Sequence, residues 1–343
     1  MKDQDISSMY LEELTEYVIE QGWPKFRAKQ IYEWLHKKHI DSVDKMTNIP
    51  KDIRSILDEN LCKVSYVTHQ TSVSDGTSKF LFSMEDGQRI ETVFMPYHHG
   101  NSICISSQAG CAMGCAFCAS TIGGCKRNLT AGEMLGQIYM AVNTVGEDIS
   151  NVVVMGTGEP LQNYDNLIRF IKILTSEEGY NLSIRNITVS SCGIVPNIRR
   201  LANEGMGITF ALSLHAPTDE KRKTLMPIAN SYSIKETLEA TDYYFNKTGR
   251  RITIEYSLMG GINDSDQDAE ILGKLLKGRG YHVNLIPVNP VDERSFTPSS
   301  KAKIAEFKKI LEKYGINVTI RRGMGRNIDA ACGQLRRKYG VIT

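Results

Sequence analysis

The chain reads as an α/β protein: a small helical module, then a larger body of βα units around a parallel sheet, either open or curled into a barrel. Three observations predict this. Beyond residue 100, strand-length apolar runs (SICISS, NVVVMG, SIRNITVSS, GITFALSLH, RRITIEYSLM, YHVNLIPVN and INVTI) alternate with amphipathic segments near 131–143, 163–175, 194–203, 233–247, 265–277 and 300–313. Such alternation supplies each pair of parallel strands with its crossover helix. The length, 343 residues, is enough for about two domains, or for one large body with an appendage. The composition, 41% hydrophobic and 23% charged with 28 Gly and 10 Pro, excludes collagen-like and largely disordered classes.

Before residue 100 the pattern is different. From Met9 to about Asn60 apolar residues recur at helical spacing, as in Leu11, Leu14, Val18, Ile31 and Leu35, and Pro50 marks a break. Lys25, Arg27, Lys29, Lys37 and Lys38 interleave here with Trp23, Phe26, Tyr32 and Trp34. That arrangement suits an RNA backbone, and equally a solvated helix with a buried aromatic face. From about Ser65 to Met95 short β-type runs surround turn signals at Asp75-Gly76 and Asp86-Gly87, reading as two hairpin-like pieces that lead into the main body. No internal repeat or low-complexity tract is visible.

Charge and cysteine usage narrow the class. With 41 basic and 39 acidic side chains the formal charge is +2, so no charged tail dominates. The opening MKDQDISSMYLEELTEYVIEQGW carries acids throughout and lacks the basic and apolar regions of a secretory leader. No run approaches the ~18 apolar residues of a membrane span, so the expected compartment is the cytoplasm and no membrane partner is expected. In a reducing compartment eight cysteines point to metal binding or catalysis before disulfides.

The sharpest local feature is Cys111-Ala-Met-Gly-Cys115-Ala-Phe-Cys118, after the first strand of the βα body. Three thiolates on one loop suit a cuboidal iron–sulfur cluster with one iron left open to a ligand. The alternative is structural zinc, whose fourth ligand would come from Cys104, Cys125 or a distant His. After the next strand comes Met155-Gly156-Thr157-Gly158-Glu159-Pro160. Its glycines permit a tight turn close to a ligand, although βα loops also carry such turns for purely structural reasons.

The cysteine spacing resembles that of the radical S-adenosylmethionine (SAM) superfamily. The region from about 90 to 335 resembles one narrower family, the RlmN and Cfr RNA adenine methyltransferases, on the phrases ETVFMP, CISSQAGCAMGCAFC, KRNLT, MGTGEPL, SLHAP, LMPI, GINDS, HVNLIPVNP and DAACGQL. The resemblance implies a partial (β/α)6-type barrel at 97–330, a β-hairpin connector at 63–96, an RNA-binding helical accessory domain at 1–62 and a C-terminal segment at 331–343. It also implies a [4Fe-4S] cluster on Cys111, Cys115 and Cys118, and a SAM pocket at Gly158, Glu159, Ser190, Ser213, Leu214, His215 and Asn289. Phe117 matches the aromatic that the superfamily places before its third cysteine.

By the same resemblance Cys332 is the methyl-carrying cysteine, Cys104 its resolving partner and Glu91 the proton acceptor. The chemistry accounts for such a set. C2 of adenine lies between two ring nitrogens and is too electron-poor to attack a SAM methyl group, whereas a thiolate attacks readily. Cys332 would take a methyl from one SAM, and a radical from a second SAM would activate that methyl to join the ring. Glu91 would remove the ring proton. Attack by Cys104 on the Cys332 sulfur would free the product and leave a disulfide for a thiol reductant. The implied substrates are 23S rRNA at the peptidyl transferase centre and the tRNA adenosine 3′ of the anticodon. A flavodoxin-like electron donor and a monomeric state are expected, with Cfr-type C8 methylation or a non-catalytic RNA-binding zinc protein as alternatives.

The chain departs from the family pattern at Thr157, Cys192 and Cys125, the last adding a thiol near the cluster loop. Lys126, Arg127, Arg321, Arg322, Arg326, Arg336, Arg337 and Lys338 would surround the mouth of the site, as phosphate contacts or as solvated surface charge.

Overall fold

The computed structural model describes residues 5–321 and 323–335. Arg322, Arg336, Arg337 and Lys338, and with them most of the expected C-terminal segment, lie outside the described residues.

Three helices form the N-terminal module: α1 (Leu11–Glu20), α2 (Phe26–His36) and α3 (Lys51–Asn60). The helical spacing puts Leu14, Tyr17 and Val18 of α1 and Ile31, Tyr32 and Leu35 of α2 in the core. Pro50 stands at the head of α3 with φ −55°, the angle a helix start needs. The chain then enters a meander, β1 (Ser65–Thr71), β2 (Ser78–Ser83) and β3 (Arg89–Met95), whose turns use Gly76 and Gly87 at φ +72° and +76°. β3 pairs antiparallel with β4 (Ser102–Ile105), so the hairpins continue the main sheet.

Past β4 a two-residue ribbon, β5 (Gln108–Ala109) with β6 (Arg127–Asn128), closes the neck of the cysteine loop. Then follow α4 (Ala131–Val145), β7 (Asn151–Val154), α5 (Tyr164–Leu174), β8 (Ile187–Ser191), α6 (Val195–Asn203), β9 (Thr209–Ser213), α7 (Asp219–Leu225), α8 (Ile234–Thr248), β10 (Ile252–Leu258), α9 (Asp266–Leu276), β11 (His282–Pro287), α10 (Lys301–Lys313) and β12 (Asn317–Ile320). All seven strand runs and all six helical segments read from the sequence are present. Among the described residues the body adds α7, a seven-residue helix too short to show periodicity, and the two-residue strands β5 and β6.

The sheet runs β1-β2-β3-β4-β7-β8-β9-β10-β11-β12, with every pairing from β4 onward parallel. Each parallel strand is added on the same side of the last. With right-handed crossovers this puts the helices on one face and curls the sheet; a doubly wound sheet would reverse its order midway. β1 and β12 remain edges, so the barrel is partial.

Alternation along the strands separates two environments. Val189, Phe210, Leu212, Ile254 and Leu285 are buried in the core shared with the helices. Their neighbours Ser190, Ser213, Glu255 and Ser257 line the interior cleft. The N-terminal module packs against α4 and α5 in the same continuous core. Gly132 and Gly136 allow the approach: a Cβ would stand 2.7 Å from Asp5 Oδ2 at the first and 2.5 Å from Val64 Cγ2 at the second. Arg169 of α5 forms a two-pronged ion pair with Glu13 of α1. Among the described residues no helix is long and apolar enough to cross a membrane.

Candidate active site

The cysteine loop leaves the β5–β6 neck and forms one wall of a cleft with about 980 Å³ of empty volume, its open mouth included. Cys111 and Cys115 are buried and Cys118 is half-buried, and all three line this cleft. Burial pushes the Cys111 thiol up to about 12, and burial followed by the neighbouring thiols raises Cys115 as well. Cys118 is raised too, again chiefly by burial. Thiolates are the metal-binding form, so an incoming metal must displace these protons. Among the described residues no three His, Cys, Asp or Glu side chains converge on a point that would hold one metal ion. A cuboidal cluster needs each of three thiolates on a different iron, and the loop supplies three.

Facing that wall is the glycine turn after β7. Gly158 sits at φ +113°, and a Cβ there would lie 2.7 Å from Ser107 Oγ and from the Gln108 side chain. Only glycine fits. The turn is latched to the strand-β4 exit, where Ser107 N and Gln108 N donate to the Thr157 carbonyl at 2.9 and 3.2 Å. Thr157, a departure from the family pattern, thus takes part through its backbone. Buried Glu159 accepts from Cys192 N at 2.8 Å and from Leu161 N at 3.1 Å, while burial raises its carboxyl above the usual range.

The remaining SAM-pocket candidates divide. Ser190, Ser213, His215 and Asn289 line the cleft, and the Ser190 and Ser213 hydroxyls meet at 3.3 Å. Leu214 does not line it; its side chain belongs to the helix-side core. His215 adopts φ +56° at the end of β9. Ser257 N donates to its Nδ1 at 2.9 Å, so the neutral ring carries its proton on Nε2. Burial, then the nearby Arg222 charge, lowers its pKa to about 3. Phe117 packs edge-on against this ring, with centroids 5.0 Å apart.

Cys332 also lines the cleft, on a loop docked against the cysteine loop. Asn289 Nδ2 donates to the Cys332 carbonyl at 3.0 Å, Ala119 N to Gly333 O at 2.8 Å and Ser120 Oγ to Leu335 O at 2.8 Å. Cys332 and Cys104 share a second recess with Val93, Met95, Tyr97 and Met324. Burial, then the Cys332 thiol, pushes Cys104 up to about 12. Both thiols are free. Glu91 lines neither space. It is buried in a separate small recess between β1, β2 and β3, its carboxylate 3.3 Å from Lys79 Nζ, and the Lys79 ammonium also reaches the Asp329 carbonyl at 3.4 Å. By alternation it shares the β3 face of Val93 and Met95.

Two basic residues differ from expectation. Arg127 makes charge-assisted bonds to Asp86 at 2.6 Å and Glu133 at 2.7 Å, tying β6 to the β2–β3 turn and to the start of α4, so its charge is already matched. Arg321 lines both the cleft and the recess, 4.0 Å from Glu255, and stays firmly charged through Cys332 first and then Glu255 and Cys104. Cys125 donates to the Arg127 carbonyl at 3.7 Å, away from the cleft lining. Glu255 and Arg222 went unseen in the sequence, because a lone acid in a strand and a lone Arg in DEKRKTL carry no signal of burial.

Comparison with known proteins agrees with this architecture. The Radical SAM superfamily model matches residues 105–272, and the ribosomal RNA large subunit methyltransferase N-terminal domain model matches residues 4–62. A probable dual-specificity RNA methyltransferase RlmN of Lachnoclostridium phytofermentans is 55% identical over 98% of this chain and 95% of its own length. One of the same name from Lachnospira eligens is 55% identical over 98% and 96%. The crystal structure of a radical SAM methyltransferase from Sphaerobacter thermophilus superposes with a TM-score of 0.94 at 44% identity, covering 97% of this chain and 99% of that one. Members of this superfamily use a [4Fe-4S] cluster and SAM, and the cleft offers the matching donors: three loop thiols, a glycine turn and a lining of small hydroxyls. Cysteine loop, glycine turn and full-length similarity agree, and the chain belongs to the RlmN family of radical SAM RNA methyltransferases.

Proposed function

We propose that this enzyme methylates C2 of adenine in 23S rRNA and in tRNA, with Cys332 as the methyl carrier, Cys104 as the resolving thiol and Glu91 as the proton acceptor. The observation that carries the reading is the shared recess of Cys104 and Cys332, opening beside the cleft of the three loop cysteines. Cys111, Cys115 and Cys118 would hold the cluster, with Gly158, Glu159, Ser190, Ser213, His215, Asn289 and the Leu214 backbone around SAM. Bound there, cluster and SAM supply the methyl group and the radical that activates it.

The protein's own groups do the rest. The Cys332 sulfur, as thiolate, accepts a methyl group and keeps it facing the recess, its backbone held by Asn289. The Arg321 guanidinium favours the anionic form of the Cys104 sulfur against its burial. Once the methyl carbon is joined to the ring and one electron has passed to an external electron carrier, Glu91 takes the ring proton, its carboxylate lying 3.3 Å from the Lys79 ammonium. The Cys104 thiolate then attacks the Cys332 sulfur. An S–S bond forms, the S–C bond breaks, and its electron pair goes to the product carbon, which is protonated to methyl. A dithiol reductant reduces the disulfide, a flavodoxin-like protein supplies single electrons, and the enzyme acts as a monomer.

The test is mass spectrometry of nucleosides from ribosomal and transfer RNA of a host without its own adenine-carbon methylases, with and without this gene. The expected product is 2-methyladenosine in both RNA classes. Appearance of 8-methyladenosine instead would overturn the regiochemistry. Cys332→Ala abolishes the product, and Cys104→Ala accumulates protein covalently joined to RNA; normal turnover by the Cys104 variant would remove that assignment.

A further inference from the structure

Arg222, on the second turn of α7, is the largest fully buried side chain among the described residues. Its guanidinium donates to backbone carbonyls only: Nη2 to Cys192 O at 2.6 Å and Ser213 O at 3.4 Å, and Nε to Leu214 O at 3.2 Å. Nη1 is buried without a hydrogen-bond partner among the described residues. Among the described residues no carboxylate forms an ion pair with it, and the ionisable groups that favour its charge against burial are Cys192, then Cys115, then Asp219 at the start of α7. An arginine stays protonated in a protein, and a buried charge without a counter-charge is strongly disfavoured. The cation therefore has no close counter-charge until something anionic enters the cleft, whose lining includes Cys115 together with Cys192 and Ser213, the residues whose carbonyls Arg222 holds.

The group that completes it follows from charge counting. A [4Fe-4S]2+ core with three thiolates carries a net charge of −1, and −2 after taking one electron. We propose that Arg222 is the counter-cation of the iron–sulfur cluster, a positioning residue that stabilises the reduced state electrostatically and fixes the cleft wall. The inference rests on the cluster reading of the cysteine loop. The second role follows from the Cys192 peptide, whose carbonyl Arg222 holds while Glu159 holds its N–H. Gly193 follows without room for a side chain, a Cβ there standing 3.2 Å from Arg222 Nη2. The sign is fixed: a nearby positive charge favours the more negative state, so removing it lowers the reduction potential. The redox step transfers one electron from an external low-potential donor, dithionite in the test, with no bond made or broken.

The experiment compares the full-length wild type, Arg222→Lys and Arg222→Gln after anaerobic reconstitution, reading iron and sulfide content, circular dichroism, and the reduced-cluster electron paramagnetic resonance signal during a mediated dithionite titration. At fixed solution potential the reduced-to-oxidised ratio of Arg222→Gln is expected to fall about tenfold, equivalent to about 59 mV for one electron. Arg222→Lys is expected to stay within about threefold of wild type. If Gln fails to retain the cluster while Lys retains it, with both folded, the charge is again the determinant. A loaded Gln variant with the wild-type midpoint, or Lys and Gln impaired alike, overturns the inference and leaves only a structural fork. A wild type that takes up neither iron nor sulfide overturns the cluster reading itself, and this inference with it.

Discussion

Two buried imidazoles, His36 and His215, carry a pH dependence whose direction can be worked out. Burial lowers each from the ordinary 6.5 to about 3. Below pH 6.5 the unfolded chain therefore binds protons that the folded chain excludes. Their stabilisation is fully present above pH 6.5 and is lost as pH falls toward 3, by about 1.4 kcal/mol per pH unit for each histidine. The urea midpoint should fall between pH 7.5 and 5, and His36→Gln should make that slope shallower; an unchanged slope would exclude His36 as a source. In the sequence neither histidine could be told from a surface one. His215 was legible as a site residue only through SLHAP, and His36 depends on a partner 103 residues away, the Tyr139 hydroxyl at 3.1 Å.

Among the elements, the loops between strands and helices carry the chemistry, and their geometry gives two tests. Gly158→Ala places a Cβ against Ser107 and Gln108 at a φ that L-residues avoid. We expect a cost of about 1–3 kcal/mol and loss of SAM binding by calorimetry, because the turn cannot keep both its conformation and its latch. Arg127 separates two roles that the sequence left open. If its charge is satisfied by Asp86 and Glu133, Arg127→Ala lowers stability by about 1–3 kcal/mol, since Glu133 is left buried with less compensation. The dependence of RNA affinity on salt should then keep its slope. A slope smaller by about one unit would identify a phosphate contact instead.

At the level of the whole molecule, the N-terminal helices and the partial barrel share one apolar core, and the meander extends the barrel sheet. Unfolding should therefore be a single cooperative event. The two tryptophans, Trp23 and Trp34, both lie in the helical module, whereas far-ultraviolet circular dichroism samples the whole chain. Coincident transitions by both probes are expected, and Leu14→Ala, which opens a cavity in α1, should shift both together by about 2–5 kcal/mol. A fluorescence transition that precedes the circular dichroism change would show an independent module.

The βα order, the approximate helix bounds and the cysteine loop were legible in the chain because each depends on neighbours in sequence: hydrophobic periodicity, and three thiols within eight residues. Whether the sheet lay open or curled was not legible, since that depends on which side each new strand joins. The neighbourhood of Cys104 and Cys332, 228 positions apart in number, could be named from a family likeness, but only the return of the C-terminal loop onto the cysteine loop brings the two into one recess. The same holds for Arg127, Arg222 and Arg321. A guanidinium reads alike in sequence wherever it lies, and only the folded surroundings decide whether it meets carboxylates, buried carbonyls or thiols.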